Sequence, residues 1–273
     1  MNILNYDKIK RSLIEISGKD SSIFLQKIIT ADVNKITERE LYPAALLSPQ
    51  GKILYHFLIT KFSDKYYIDI DQKYLDTLLM KLNLYRLSSE VDFTAVPDVT
   101  AVISNEIKNI DIVFVDKCFP TPIYRIYDNF ISLENLASDQ NILNLNQLFI
   151  DNGLAQIDHD FSSNEVYPHD INFDLYHGVN FNKGCYVGQE VVARMQYKAT
   201  IKKRTLIIQA NEILNKGDKI YANDKLIGSV GQSCGKTALA LIRIDHLKNA
   251  PKVHCNNIDI TITAPYYLDL ALN

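Results

Sequence analysis

Between Phe181 and Arg194 the chain reads Phe-Asn-Lys-Gly-Cys-Tyr-Val-Gly-Gln-Glu-Val-Val-Ala-Arg, a stretch that gathers reactive, flexible and charged residue types. Cys185 follows Lys183 and Gly184, so its thiol is carried by backbone that can turn sharply and stands near a cation that favours thiolate. Gly188 breaks the chain again. The residues from Gln189 to Met195 are good or neutral helix formers, and a short helix there would point its N-terminal N–H groups back toward Cys185. The same composition also suits a small, buried and inert cysteine, and the residues alone leave both readings open. Tyr186 is placed either to stack on a ligand or to pack beside the Cys185 turn.

The elements that must hold this stretch come from the rest of the chain. Arg11 to Ile16 predicts a strand ended by Gly18, and Asp20 predicts the N-cap of a helix burying Phe24, Leu25, Ile28 and Ile29. Ala44 to Leu47, Ile53 to Thr60 and Tyr66 to Ile70 predict three antiparallel strands, the first two joined by a turn at Ser48-Pro49-Gln50-Gly51. Asp71 predicts the cap of a helix with Leu75, Leu78, Leu79 and Leu82 on one face. Val91 to Val96 closes that unit, and Val99 to Ile103, Ile110 to Val115 and Ile123 to Tyr127 predict the strands of a second. A helix including Leu145, Leu148 and Phe149 should end near Asn152-Gly153.

Between Asp158 and Asn180 the periodicity disappears, and this irregular segment delivers the chain to Lys183. After Met195 come five further strands, Thr205 to Ala210, Lys219 to Ala222, Leu226 to Val230, Thr237 to Ile242 and Ile258 to Thr263. Turn residues separate them, a spacing that predicts a small antiparallel barrel or sandwich.

Composition narrows the function. A chain of 273 residues suggests about two domains. Its 29 Lys and Arg against 32 Asp and Glu, net −3, argue against a protein built mainly to coat nucleic acid or an anionic membrane. The first thirty residues carry charges throughout and no apolar run approaches a signal-peptide core or a membrane span, so a soluble, cytoplasmic protein is expected. Four cysteines, at 118, 185, 234 and 255, form no Cys-x-x-Cys pair, and the six histidines are scattered. That spacing predicts no disulfide framework, no tightly bound metal and no permanent iron–sulfur cluster held by this chain alone.

Lys183-Gly184-Cys185-Tyr186-Val187-Gly188-Gln189-Glu190 resembles the signature octapeptide of the YgfZ/Iba57/Caf17 family, folate-binding proteins related to the glycine-cleavage T-protein. Pro168-His169-Asp170-Ile171-Asn172-Phe173-Asp174-Leu175 resembles the family's upstream segment, with Asp170 where glutamate is usual. Val191-Val192-Ala193-Arg194 and Lys203-Arg204 continue the pattern downstream. Gly18-Lys19-Asp20, Phe24-Leu25-Gln26 and Thr30-Ala31-Asp32-Val33 resemble its opening motif. The resemblance implies an α+β fold: two intertwined subdomains in residues 1–196, with a boundary near 97, then a C-terminal β-barrel in 197–273.

It also implies a tetrahydrofolate site. Asp170, Gln189 and Glu190 are candidates to face the pterin edge, Gly184, Tyr186 and Gly188 to shape the pocket, and Arg194 to meet the anionic tail. The cations from Arg194 to Arg204 equally suit a solvated face. In aminomethyltransferases of the glycine-cleavage type an essential carboxylate follows the glycine of the early hairpin. Here Lys52 to Thr60 after Gly51 contains no acid, which counts against direct one-carbon transfer, and His56 is an isolated histidine in a strand.

The resulting expectation is a monomeric, folate-binding factor for assembly or repair of iron–sulfur proteins. Cys185 would be its working thiol and Lys183 would help to maintain the thiolate. Its partners would be folate and iron–sulfur client or assembly proteins. Alternatives are a folate-dependent one-carbon transferase, aminomethyltransferase-like or acting on tRNA, and a non-catalytic folate-binding module.

Overall fold

The computed structural model of the chain describes residues 2–133, 143–247 and 252–270. The chain divides into two compact units, each assembled from separated stretches. The first comprises 1–47, 55–144 and 177–187, and the second 48–54, 145–176 and 188–273.

The first unit is built on β1 (Asn2–Ser17), α1 (Ser21–Ile28), β2 (Glu40–Leu47), β3 (Ile53–Phe62), β4 (Lys65–Ile70), α2 (Leu75–Arg86), β5 (Asp92–Lys108), β6 (Phe114–Asp116) and β7 (Ile123–Tyr127). The first two residues of β3 belong to the second unit. The strands close into a barrel in the order β1-β4-β3-β2-β6-β7-β5, with β2 and β6 parallel. Asp20 stands at the N-terminus of α1, as expected, yet it makes no capping bond. Its carboxylate instead accepts the Glu90 N–H at 2.8 Å, which ties the helix start to the chain entering β5. Phe24, Leu25, Ile28 and Ile29 are buried. In α2, Leu75, Leu78 and Leu82 are buried and Leu79 is half-buried.

Two expectations for this unit are corrected. The strands read as Val91–Val96 and Val99–Ile103 are one strand, β5, paired along nearly all of β1. Pro97-Asp98 is absorbed as a bulge: Leu13 faces Val96, Arg11 faces Val99, and Asp98 takes a φ of +57°. A bulge is one of the few places where a sheet accepts proline, which lacks the ladder N–H. The strand expected at Ile110–Val115 shrinks to Phe114–Asp116, the stretch that pairs with β2 and β7.

The second unit contains α3 (Leu145–Asp151), α4 (Gln189–Lys198), β8 (Lys203–Ala210), β9 (Lys219–Ala222), β10 (Lys225–Cys234), β11 (Thr237–Arg243), β12 (Val253–Cys255) and β13 (Ile258–Thr263). The last six strands form a closed antiparallel barrel in the order β10-β11-β8-β13-β12-β9. Alternation in β8 sends Leu206, Ile208 and Ala210 into a core shared with Ile220, Val230, Ala240 and Ile242. β12 is the one strand of this barrel that the sequence pattern does not announce, because three residues give no alternation to read. Gly153, φ +68°, ends α3, and its carbonyl accepts from the Tyr267 hydroxyl at 2.7 Å. The irregular stretch before α4 contains a single 3-10 turn, Pro168–Ile171.

Candidate functional site

The octapeptide straddles the two units: Lys183 to Val187 belong to the first and Gly188 to Glu190 to the second. In the first unit, residues 180–187 lie along the C-terminal end of α1. A helix leaves its last carbonyls without intrahelical partners, and a loop with donors to spare can satisfy them. The Val187 N–H donates to the Lys27 carbonyl at 3.2 Å, and the Asn180 N–H donates to the Thr30 carbonyl at 3.0 Å. The Lys183 ammonium donates to the carbonyls of Ile29 and Ala31, each at 2.7 Å. It lies 5.0 Å from the centroid of the Tyr186 ring. Lys183 is 7% exposed, and burial pulls its pKa down to about 8, against the opposing pull of Asp32. Tyr186 is also buried; desolvation pushes its phenol up, and its hydroxyl has no hydrogen-bond partner among the described residues.

Cys185 and Gly184 come out of this anchored segment into solvent. Of the four cysteines, Cys118 and Cys255 are buried, Cys234 is intermediate, and Cys185 is exposed. Gly184 and Cys185 form one wall of a cleft of about 550 Å³, whose other wall is Ser22, Ile23, Gln26 and Lys27 of α1 with Asn34 beyond it. No spacing in the sequence marks these α1 residues as neighbours of the thiol. The one signal is that Phe24-Leu25-Gln26 and Thr30-Ala31-Asp32-Val33 look like a family motif. The structure gives that motif a use: Gln26 donates to Asp32 and accepts from the Val33 N–H, which shapes the turn whose carbonyls receive Lys183.

In the second unit Gly188, φ +80°, starts α4 at the point where the sequence places it. Gln189 is half-buried, whereas Glu190 and Arg194 are exposed and pair with each other across one helical turn at 2.8 Å. Asp170 is buried. One carboxylate oxygen accepts the Tyr167 N–H at 3.0 Å, closing the 3-10 turn, and desolvation pushes its pKa up against that bond and the nearby cations. Arg204 is not part of an open cationic run: it is buried, with a two-bond pair to Asp174 and a bond to the His169 carbonyl. Lys198, Lys202 and Lys203 are exposed. A pterin edge asks for a carboxylate or amide, and a glutamate tail asks for cations; Asp170, Gln189, Glu190 and Arg194 supply those types in one unit.

His56, on β3, is half-buried near a network of buried charge. Desolvation and the guanidiniums of Arg11 and Arg125 pull its pKa down to about 4, so its ring is neutral at pH 7. In that network Asp69 takes bonds from Arg11, from Arg125 at 3.1 Å and from the Tyr127 hydroxyl at 2.7 Å, while Arg125 also reaches Asp116 at 2.8 Å. Among the described residues, no three His, Cys, Asp or Glu side chains are grouped as a metal site.

Comparison with known proteins joins these observations. Residues 202–269 match the family described as the CAF17 C-terminal beta-barrel domain. The chain is 27% identical over 217 residues to an iron–sulfur cluster assembly factor IBA57 homolog, mitochondrial, of Mycosarcoma maydis, covering 71% of this chain and 54% of that one. It is 27% identical over 280 residues to the tRNA-modifying protein YgfZ of Klebsiella pneumoniae, covering 90% and 83%. The fungal match therefore spans about half the length of its relative. Among solved structures, the glycine cleavage system aminomethyltransferase T of Bartonella henselae superposes with a TM-score of 0.75 over 97% of this chain and 86% of its own. At 12% identity that likeness speaks for the fold alone. The octapeptide on its anchored loop, the closed C-terminal barrel and sequence similarity running along most of the chain all support the resemblance to the YgfZ/Iba57/Caf17 family.

Proposed function

We propose that this protein is a tetrahydrofolate-binding factor in the assembly or repair of iron–sulfur proteins, with Cys185 as its working thiol. The observation that carries the reading is the one exposed cysteine of four, standing on the octapeptide loop at the rim of a cleft. The IBA57 relatives are named as iron–sulfur cluster assembly factors, which supports the same direction. An exposed thiolate is a ligand for iron and a nucleophile toward a partner's disulfide, attacking one sulfur and releasing the other as thiolate. Asp170, Gln189 and Glu190 would face the pterin of the folate and Arg194 its anionic tail, and the folate would supply a one-carbon unit or act as a bound effector. The covalent link from Val187 to Gly188 joins these residues to the thiol loop. Direct aminomethyl transfer is disfavoured, because β3 carries the neutral His56 and no acid between Lys52 and Thr60.

Two experiments test the reading. In cells lacking the wild-type protein, Cys185→Ser should fail to restore iron–sulfur enzyme activity; full restoration would remove the thiol from the mechanism. Calorimetric titration of the reduced protein with mono- and polyglutamyl tetrahydrofolate should show one-to-one binding, weakened by Glu190→Ala and, for the longer tail, by Arg194→Ala. Both side chains are exposed, so neither variant threatens folding. A folded sample that binds no folate would take folate out of the mechanism.

A second reading, action on tRNA, is favoured by the exposed cations Arg194, Lys198, Lys202 and Lys203 and by the name of the bacterial relative. It predicts tRNA binding that weakens steeply with salt.

A further inference from the structure

We propose that Lys183 is the positioning residue of the Cys185 loop: bonded to the carbonyls of Ile29 and Ala31, it seats the loop on the end of α1 and so sets the thiol at the cleft rim. The inference rests on the reading of Cys185 as the working thiol, and it assigns Lys183 a role by geometry where its place in the sequence suggests a purely electrostatic one.

The end of α1 needs such a partner. Ile29 is extended, φ −102° and ψ 161°, and no glycine follows to take the left-handed conformation that usually lets a helix satisfy its own last carbonyls. The missing donors come from residues about 150 positions later. Four carbonyls at and just beyond the helix end are involved, those of Lys27, Ile29, Thr30 and Ala31, and all four are met by Asn180, Lys183 and Val187. Lys183 meets two of them. An ammonium has three donors; two are spent on carbonyls, and the Tyr186 ring faces the cation from another side. With its pKa near 8 the group still carries its charge at neutral pH, so the cap is intact there.

The two anchors bracket the thiol. Lys183 holds the chain two residues before Cys185, and the Val187 N–H holds it two residues after. Between them Gly184 offers its backbone to open space, with no atom within 4 Å of where a Cβ would stand. The thiol is therefore accessible while the loop that carries it is fixed from both ends. The side of the cleft opposite the thiol is α1 itself, so the same anchor sets the distance between the two walls.

The test compares wild type, Lys183→Met and Lys183→Arg in the full chain. Hydrogen exchange of the amides from residue 183 to 187 should speed up by about tenfold or more in Lys183→Met, with the barrel β8–β13 unaffected. Lys183→Arg, which keeps two donors and the charge, should recover most of the protection. The pH dependence of Cys185 alkylation should keep its midpoint in Lys183→Met. Unchanged loop exchange in Lys183→Met would overturn the proposal, and a midpoint moved upward with it would point instead to a direct charge effect on the thiolate.

If the variants do not fold, the unaltered protein still decides. Reductive methylation of Lys183 should be about tenfold slower than that of the exposed Lys27, and equal rates would refute a held ammonium. Cys185→Ser in cells reports on the thiol reading separately. A harmless Cys185→Ser removes that reading and leaves the anchor standing, while unaltered loop exchange in Lys183→Met does the reverse.

Discussion

Gly51 gives a prediction whose size can be worked out, because a second glycine provides its control. Gly51 sits at φ +81° in the turn that leads into β3, its N–H bonded to the Ser48 carbonyl at 2.8 Å. A Cβ there would stand 2.9 Å from the Val191 Cβ and 3.3 Å from the Gly188 carbonyl oxygen. Gly217 has a similar backbone, φ +91°, but a Cβ there would meet no atom within 4 Å. Alanine at either position takes on the left-handed penalty of about 1–2 kcal/mol. Only Gly51→Ala must also push aside a branched side-chain root and a backbone oxygen at the start of α4, an overpacking cost of about 1–3 kcal/mol.

Gly217→Ala should therefore lose about 1–2 kcal/mol and Gly51→Ala about 2–5 kcal/mol. Both residues lie in the second unit, so both report on the same structure. Urea unfolding followed by far-ultraviolet circular dichroism gives the two values from the midpoints, provided the slopes agree. Under the proposed folate reading, titration of Gly51→Ala with tetrahydrofolate adds a second readout, since Gln189 and Glu190 ride on the displaced helix start. If the two alanine variants lose the same stability to within about 0.5 kcal/mol, the hairpin does not press on α4 and the reasoning fails.

Arg125→Met should cost about 3–5 kcal/mol, because it leaves the carboxylates of Asp69 and Asp116 buried without their shared cation; urea unfolding measures it. His56 titrates near 4 in the fold and near 6.5 in an unfolded chain, so between those values only the unfolded chain holds the proton. Stability should rise with pH across that window and be lost as pH falls below 6.5, and His56→Gln should flatten the slope in urea midpoints taken from pH 4 to 7. Arg194→Ala should change stability by no more than about 0.5 kcal/mol, since its pair with Glu190 is solvent-exposed; a larger loss by the same assay would mean that α4 depends on it.

The parts of the fold that announce themselves in sequence are those specified by local chemistry. Gly188 followed by uninterrupted helix formers places α4, and the Asn, Asp and Gly turns after Met195 place five of the six strands of the C-terminal barrel. Pro97 misleads for a physical reason. Read locally it ends a strand, but the pairing of β5 with β1 on either side is long enough to carry a bulge. Arg125 is opaque in another way. In Ile-Tyr-Arg-Ile-Tyr a charged residue reads as facing water, and only the buried carboxylates of Asp69 and Asp116, 56 and 9 residues away, explain why it is buried. At the candidate site the thiol and its glycines were legible from their types. The carbonyls that hold Lys183 were not, since backbone groups carry no sequence signature and lie 154 and 152 residues from it.

The assembly of each unit from separated stretches bears on the order in which the protein matures during synthesis. The strands of the first unit are all translated once Tyr127 has been made, but the carbonyls of Lys27, Ile29, Thr30 and Ala31, at and just beyond the end of α1, must wait for their donors in residues 180–187. At about 5–20 residues per second, that wait lasts several seconds on the ribosome. During it, the helix end that will carry the thiol loop is open to water, to chaperones or to mispairing. The arrival of residues 180–187 thus completes the first unit at the same moment that it delivers Cys185, so in a nascent chain the cysteine and the bonds that seat its loop appear together.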